Sequence, residues 1–218
     1  MLRQSIGFCE SVGDLKQSIF ARSMLGRALL LCGDVDGAIE VLDTSVDLSQ
    51  RLWTAFLPWP QALRAEAELL RGHIGPACEL FEQAFALGCQ LGDPCWEGMA
   101  ATGLGRVAMV RGQPVQAAEI LLDALKRCAR LPDGYLWGKG YALDALCRVA
   151  TEADMPQAKA WGHELMALAA GAGMRELVVR AYLHQAAGGQ APAASAAQVL
   201  ANEIDNPRLL AQVQGAGL

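Results

Sequence analysis

Five times along this chain, a small residue is followed five positions later by alanine, at what reads as the turn between two helices. Gly33 leads to Ala38, Gly72 to Ala77, Gly112 to Ala117, Ala153 to Ala158 and Gly189 to Ala194, and successive units lie 39, 40, 41 and 36 residues apart. A helical pattern precedes each turn and a second one follows it. Repetition at such a period marks a stacked array of supersecondary units, none of which can bury its apolar face alone. No other feature narrows the choice of fold so far.

The phase is kept inside each unit. Twelve residues before the anchoring alanine stand Gly26, Ala65 and Gly105; four after it come Leu42, Phe81 and Leu121; three further on are Ser45, Ala84 and Ala124. Steps of three and four share one helix face, so these positions form one packing seam used three times. Small residues are needed where two helices cross closely. That accounts for Gly103 and Gly105 inside an otherwise sound helix, each costing ~1 kcal/mol relative to alanine. In the fourth unit Leu146 takes the small position and Gly162 the bulky one; in the fifth, Tyr182 falls at the small position.

The small–bulky–small seam resembles the tetratricopeptide repeat, a helix–turn–helix unit, most closely over residues 15–133. The resemblance implies an all-α chain, a right-handed α-α superhelix of about five tetratricopeptide-like hairpins. First helices are expected near 15–32, 60–71, 95–111, 135–151 and 175–187, and second helices near 35–52, 76–91, 114–130, 156–170 and 192–204. Pro60, Pro76, Pro114, Pro156 and Pro192 sit at or beside helix starts, where a missing N–H costs nothing. The expected organisation is one solenoid with repeats near 15–53, 54–93, 94–133, 134–173 and 174–206, and a cap or tail over 207–218. Ser5 keeps the phase of Ser45, Ala84 and Ala124 at steps of 40, 39 and 40. Residues 1–14 therefore read as the tail of a truncated preceding repeat, and the sequence as a piece of a longer protein.

Composition agrees with helices and excludes several functions. The chain is 53% hydrophobic but only 6% aromatic, with Ala and Leu prominent and strand formers sparse. A net charge of −5 without a basic block argues against direct nucleic-acid binding and against docking on an anionic membrane. No apolar run approaches ~18 residues free of charge, and "MLRQSIGFCESVGD" lacks a signal-peptide core, so a cytoplasmic location is expected. The seven cysteines are odd in number and irregular in spacing, and most fall within helical patterns; they read as small buried hydrophobes. His73, His163 and His184 are scattered, so no metal site is expected.

Three stretches touch on known chemistry without carrying it. Gly103-x-Gly105-x-x-Ala108 lies mid-helix with no strand before it, as a dinucleotide turn would require. "DGYLWGKG" has Asp133 and Gly140 where a phosphate loop needs glycine and Ser or Thr. "HELMA" has Ala167 where a zinc-protease helix needs its second histidine. Neither catalysis nor a cofactor is expected.

Function is instead expected on the concave groove lined by the first helices. Arg27, Glu66 and Arg106 each follow a small seam position and form a plus–minus–plus ladder, which either holds the stack together or meets a ligand. Trp59, Trp96 and Trp137 recur near the starts of first helices, either as packing between units or as ring surfaces at the groove mouth. Tyr141, Asp144 and Arg148 form a mixed polar–aromatic stripe on the fourth first helix.

"AFLPWPQALRAEAELLRG", "FALGCQLGDPCWEGMAATGLG", "GYALDALC" and "MRELVVRAYLH" together resemble the C-terminal repeat region of large ATP-dependent bacterial transcription regulators, the LuxR-type, maltose-regulon-activator-like family. That resemblance implies a non-catalytic sensor and scaffold region binding a small-molecule inducer or a regulatory protein or peptide, with self-association. ATP hydrolysis and DNA binding would belong to segments outside this sequence. The alternative is a free-standing adaptor for protein–protein interaction. A peptide-carboxylate clamp is disfavoured by only four lysines and two asparagines, Asn202 and Asn206.

Overall fold

Aspartate and proline mark where the helices begin. Side chains of Asp14, Asp34 and Asp93 accept hydrogen bonds from Gln17 N, Gly37 N and Cys95 N respectively, each satisfying a backbone donor that a helix start leaves free. Pro58, Pro94, Pro114 and Pro192 occupy first turns, where their lack of N–H is harmless. Helix ends are marked as clearly. Gly33 and Gly112 take φ of +89° and +74°, a left-handed conformation that stops a helix and is open to glycine.

The computed structural model describes residues 1–130 and 135–215, and no strand occurs among them. The link at 131–134, with the expected repeat boundary at 133 and the start of the phosphate-loop-like stretch, lies outside the described residues, as does 216–218. Among the described residues twelve α-helices follow one another: α1 (Leu2–Ser11), α2 (Leu15–Cys32), α3 (Val35–Leu52), α4 (Pro58–Leu70), α5 (Ile74–Leu91), α6 (Pro94–Val110), α7 (Pro114–Cys128), α8 (Leu136–Glu152), α9 (Ala158–Gly171), α10 (Arg175–Ala187), α11 (Ala191–Asn202) and α12 (Pro207–Gly215). A short 3-10 turn, Thr54–Phe56, sits between α3 and α4. Residues 207–215, expected as a cap or tail, are a docked helix. Asn206 accepts from Leu209 N at its start, and Leu209 and Val213 bury against Val179, Ala197 and Ala201.

Each helix packs on the next in sequence. The first helices α2, α4, α6, α8 and α10 also pack on one another, whereas the second helices hardly do. An array in which one layer touches itself and the other splays must curve with the touching layer inside. The first helices are therefore the inner wall of an all-α helical-repeat superhelix.

The seam explains the close approach. A Cβ at Gly26 would come within 2.5 Å of Leu42, and one at Gly105 within 2.6 Å of Leu121, the small–bulky partners read from sequence. Gly103 faces the Phe81 ring of the preceding unit. Ala65, Phe81 and Ala84 share one buried cluster. Beneath the first unit's seam, Ser23 and Ser45 bond to each other at 2.8 Å, and Ser45 donates to Ile19 O, which satisfies two buried hydroxyls.

Two units depart from the expected register. At the fourth turn the left-handed residue is Asp154 (φ +50°), not Ala153, so only four residues separate it from Ala158. The fifth turn has the same shortened spacing, from Gly189 to Ala193. Ala193 and Ala197 are buried where Ala194 was the expected anchor, and Ala181, fully buried, takes the small position in place of Tyr182. Ser5 is exposed, and α1 packs through Ile6 onto Ala21 and Leu25. The cysteines divide: Cys78, Cys95, Cys128 and Cys147 are buried, while Cys32 and Cys89 are exposed.

Candidate functional site

Curvature brings the inner faces of distant units together. Arg27 on α2 lies with its guanidinium 4.5 Å from the Trp137 ring centroid and 4.8 Å from that of Tyr141, both on α8. These residues are more than a hundred apart in sequence. Trp137 leans toward Trp59 at 6.4 Å, and Trp59 stacks on Trp96 at 5.7 Å with their planes 15° apart. Phe56 meets both Trp59 and Trp96 edge-on. The three tryptophans from successive first helices thus form one aromatic block rather than separate rings. Trp59 is 3% exposed, and its buried indole N–H has no partner among the described residues.

Beside the aromatic block runs an ionic network. Arg106 donates to Glu66 at 2.7 Å, so two rungs of the expected ladder pair with each other while Arg27 turns to the aromatic rings. Asp144 on α8 accepts from Arg180 and from His184 Nε2, each at 2.9 Å, both on α10. Tyr141 donates to Glu176 at 2.8 Å, and Glu176 pairs with Arg180 at 2.6 Å. Arg208 on α12 donates to Leu30 O at 2.8 Å, near the end of α2, so the last helix is tied to the first full one.

Charges in this channel settle one another. Burial alone would raise the Glu66 carboxyl, but Arg106, backed by Arg180 and Arg208, holds it below its usual range. The same contest at Asp144 is won by Arg180 and His184, and its carboxyl falls. Burial and then Glu176 push the Tyr141 phenol up to about 12. Arg208 is lowered chiefly by burial, against which attraction from Glu66 and Glu176 is opposed by repulsion from Arg180 and Arg106. Four arginines (Arg27, Arg106, Arg180, Arg208) face three carboxylates (Glu66, Asp144, Glu176), an excess of one positive charge inside a chain of net −5.

Eight of the nine residues singled out from sequence meet on this wall. Arg148 does not. It is 67% exposed and pairs with Glu152 four residues on, one turn beyond Asp144. Sequence reading missed Glu176, Arg180, His184 and Arg208. The first three stand at i, i+4 and i+8 on α10, a stripe legible in "RELVVRAYLH" at the expected helix bounds of 175–187. The arrangement can hold an anion and stack a planar group. Burial pushes the Cys128 and Cys147 thiols up to about 11 and about 12, away from the reactive thiolate.

Inner first helices, outer second helices and this seam define the class: an all-α, tetratricopeptide-like helical-repeat protein. No family model matches the chain, and no curated protein matches it significantly. Solved structures do. The apo form of RapI aligns over 97% of this chain and 95% of its own, with a TM-score of 0.65 at 10% identity. BtubC from P. vanneervenii aligns over 98% and 90%, with a TM-score of 0.61 at 16% identity. A kinesin light chain with TPR-like repeats, from Podosopora anserina, aligns over 90% and 96%, with a TM-score of 0.51 at 21% identity. At such identities the likeness is one of fold.

Proposed function

We propose that this chain is a non-catalytic sensor and scaffold region that binds an inducer or a regulatory protein on its inner face. In this reading it works as the repeat region of a LuxR-type, ATP-dependent transcription regulator in the cytoplasm. The observation that carries it is the meeting of Arg27, Trp59, Trp96, Trp137 and Tyr141 from four helices at one place on the inner wall. A ligand that stacks there replaces the Arg27 contacts with Trp137 and Tyr141, so binding acts on a tie between the first and fourth units. The second reading, a free-standing adaptor, has in its favour the likeness in fold to kinesin light chain repeats.

The aromatic block is its own reporter. Metabolite and peptide libraries are to be screened by tryptophan emission and thermal shift. A hit should change emission, raise Tm and lose at least tenfold in affinity in Arg27→Ala, about 1.4 kcal/mol. A small-molecule hit favours the sensor and a peptide-only hit the adaptor; silence from both libraries removes the inner face as the site.

A further inference from the structure

The fourth unit reverses the seam, and the reversal leaves a space. Leu42, Phe81 and Leu121 fill the bulky position in the first three units and are all but fully buried. Gly162 stands there in α9, and a Cβ built on it would meet nothing within 4 Å. Leu146, in the small position of α8, is buried in one cluster with Ala117, Leu121 and Val149. The vacated volume opens as a cleft of about 290 Å³ bounded by the end of α8, the turn into α9, and the end of α10.

Its walls are chemically specific. Thr151 and Asp154 line one side, Lys159 and Gly162 the α9 side, and His184 and Gln185 the α10 side. Lys159 and Gly162 are three apart and so share a helix face. His184 is held from behind. Its Nε2 lies 2.9 Å from Asp144 Oδ1, and because a carboxylate only accepts, Nε2 must carry the proton. When the ring is neutral, Nδ1 is a lone-pair acceptor, and no partner for it occurs among the described residues. The Thr151 hydroxyl donates to Cys147 O at 2.9 Å, so it too offers the cleft only lone pairs. The cleft therefore pairs acceptors (His184 Nδ1 in the neutral ring, Thr151 Oγ1, Asp154) with one cation, Lys159, and with the Gln185 amide.

We propose that this cleft binds a small carboxylate bearing a hydroxyl or amino group, the carboxylate toward Lys159 and the hydroxyl or amine donating to His184 Nδ1. The volume lies at the lower limit of small-molecule sites, which suits a ligand of few heavy atoms. The site is separate from the inner-face aromatic block and does not depend on it. It touches the inner network only through the His184–Asp144 bond.

The chain has three histidines, so the ring resonances of ¹⁵N-histidine-labelled protein resolve into His73, His163 and His184. Serine, glycerate, lactate and glycine are to be titrated, each to about 10 mM, tenfold above the ~1 mM constant of a weak small ligand. One or more should shift the His184 ring saturably while His73 stays still. Gly162→Leu, which restores the bulky residue and fills the cleft, should abolish the shift with the helical circular dichroism retained. Lys159→Met, at an exposed position, should weaken binding at least tenfold for carboxylates. Absence of any saturable His184 shift, or the same shift in Gly162→Leu and Lys159→Met, overturns the proposal. Neither result bears on the inner-face screen, which reads tryptophan emission.

Discussion

At the scale of single residues, glycine has opposite meanings at positions that look alike in sequence. Gly103 and Gly105 are glycine because Phe81 and Leu121 occupy the space a Cβ would take, and both neighbours are buried and cannot swing aside. Gly103→Ala should therefore lower stability by about 1–3 kcal/mol through overpacking, more than its gain in helix propensity returns. Gly162 has open space, and Gly162→Ala should raise stability by about 1 kcal/mol, the propensity difference alone. Urea unfolding of the two variants side by side decides the matter; equal signs would contradict the seam. Asp144 poses a different residue-scale question, since its carboxylate keeps 14% of its side-chain surface and answers both Arg180 and His184. Asp144→Asn should cost about 1.5–3 kcal/mol, because it weakens the charge-assisted bonds from Arg180 and His184 while Arg180 keeps Glu176 as a partner. The pH dependence follows in sign. The folded carboxyls of Asp144 and Glu66 lie below their unfolded values, so their stabilisation is complete above the unfolded range of about 4. It is lost as pH falls from there through the lowered folded values. Wild type should lose stability steadily on acidification below about pH 4, and Asp144→Asn should show a shallower loss in the same melts.

At the scale of elements, α12 is the helix whose role was least visible beforehand. Its sequence, "PRLLAQVQG", is short, and so few residues would not hold a helix in water without tertiary contacts. Leu209 and Val213 supply those contacts on one face, and Arg208 supplies the bond to Leu30 O on the other. Arg208→Ala should remove about 1 kcal/mol from α12 locally. Hydrogen exchange read by mass spectrometry should speed up over 207–215 and at the end of α2, while α4 to α7 keep their protection. Uniform acceleration across the chain would mean instead that α12 is part of a single cooperative core. The fourth and fifth units teach a related lesson. A turn shortened by one residue rotates the following helix by about 100° relative to a strict repeat. That is why Ala193 and Ala197, not Ala194, meet the seam on α11.

At the scale of the whole molecule, the array is not one-dimensional. A solenoid coupled only between neighbours unfolds in segments. Here Arg27 reaches the fourth unit and Arg208 reaches from the last helix to α2, so units far apart in sequence stabilise one another. Wild type should unfold in urea as one transition, coincident by circular dichroism and by tryptophan emission. The double variant Arg27→Ala, Arg208→Ala should separate the two probes, the aromatic block reporting earlier than the helices. Coincident curves in the double variant would show that nearest-neighbour packing alone makes the molecule cooperative.

Sequence alone determined the paired helices α2 to α11 and the turns and seam of the first three units, because each depends on residues within a few positions of one another. Caps such as Asp34, stops such as Gly33 and the Gly26–Leu42 pair are local rules repeated. It also singled out most of the inner-wall residues, since a residue beside the seam must face inward wherever the array curves. Tertiary structure decided how far the array curves, and so which inner residues meet. Curvature sums small rotations over every unit, and no short stretch records the sum. Hence the pairing of Arg27 with Trp137, the tie from Arg208 to Leu30 and the open space over Gly162 emerged only in three dimensions.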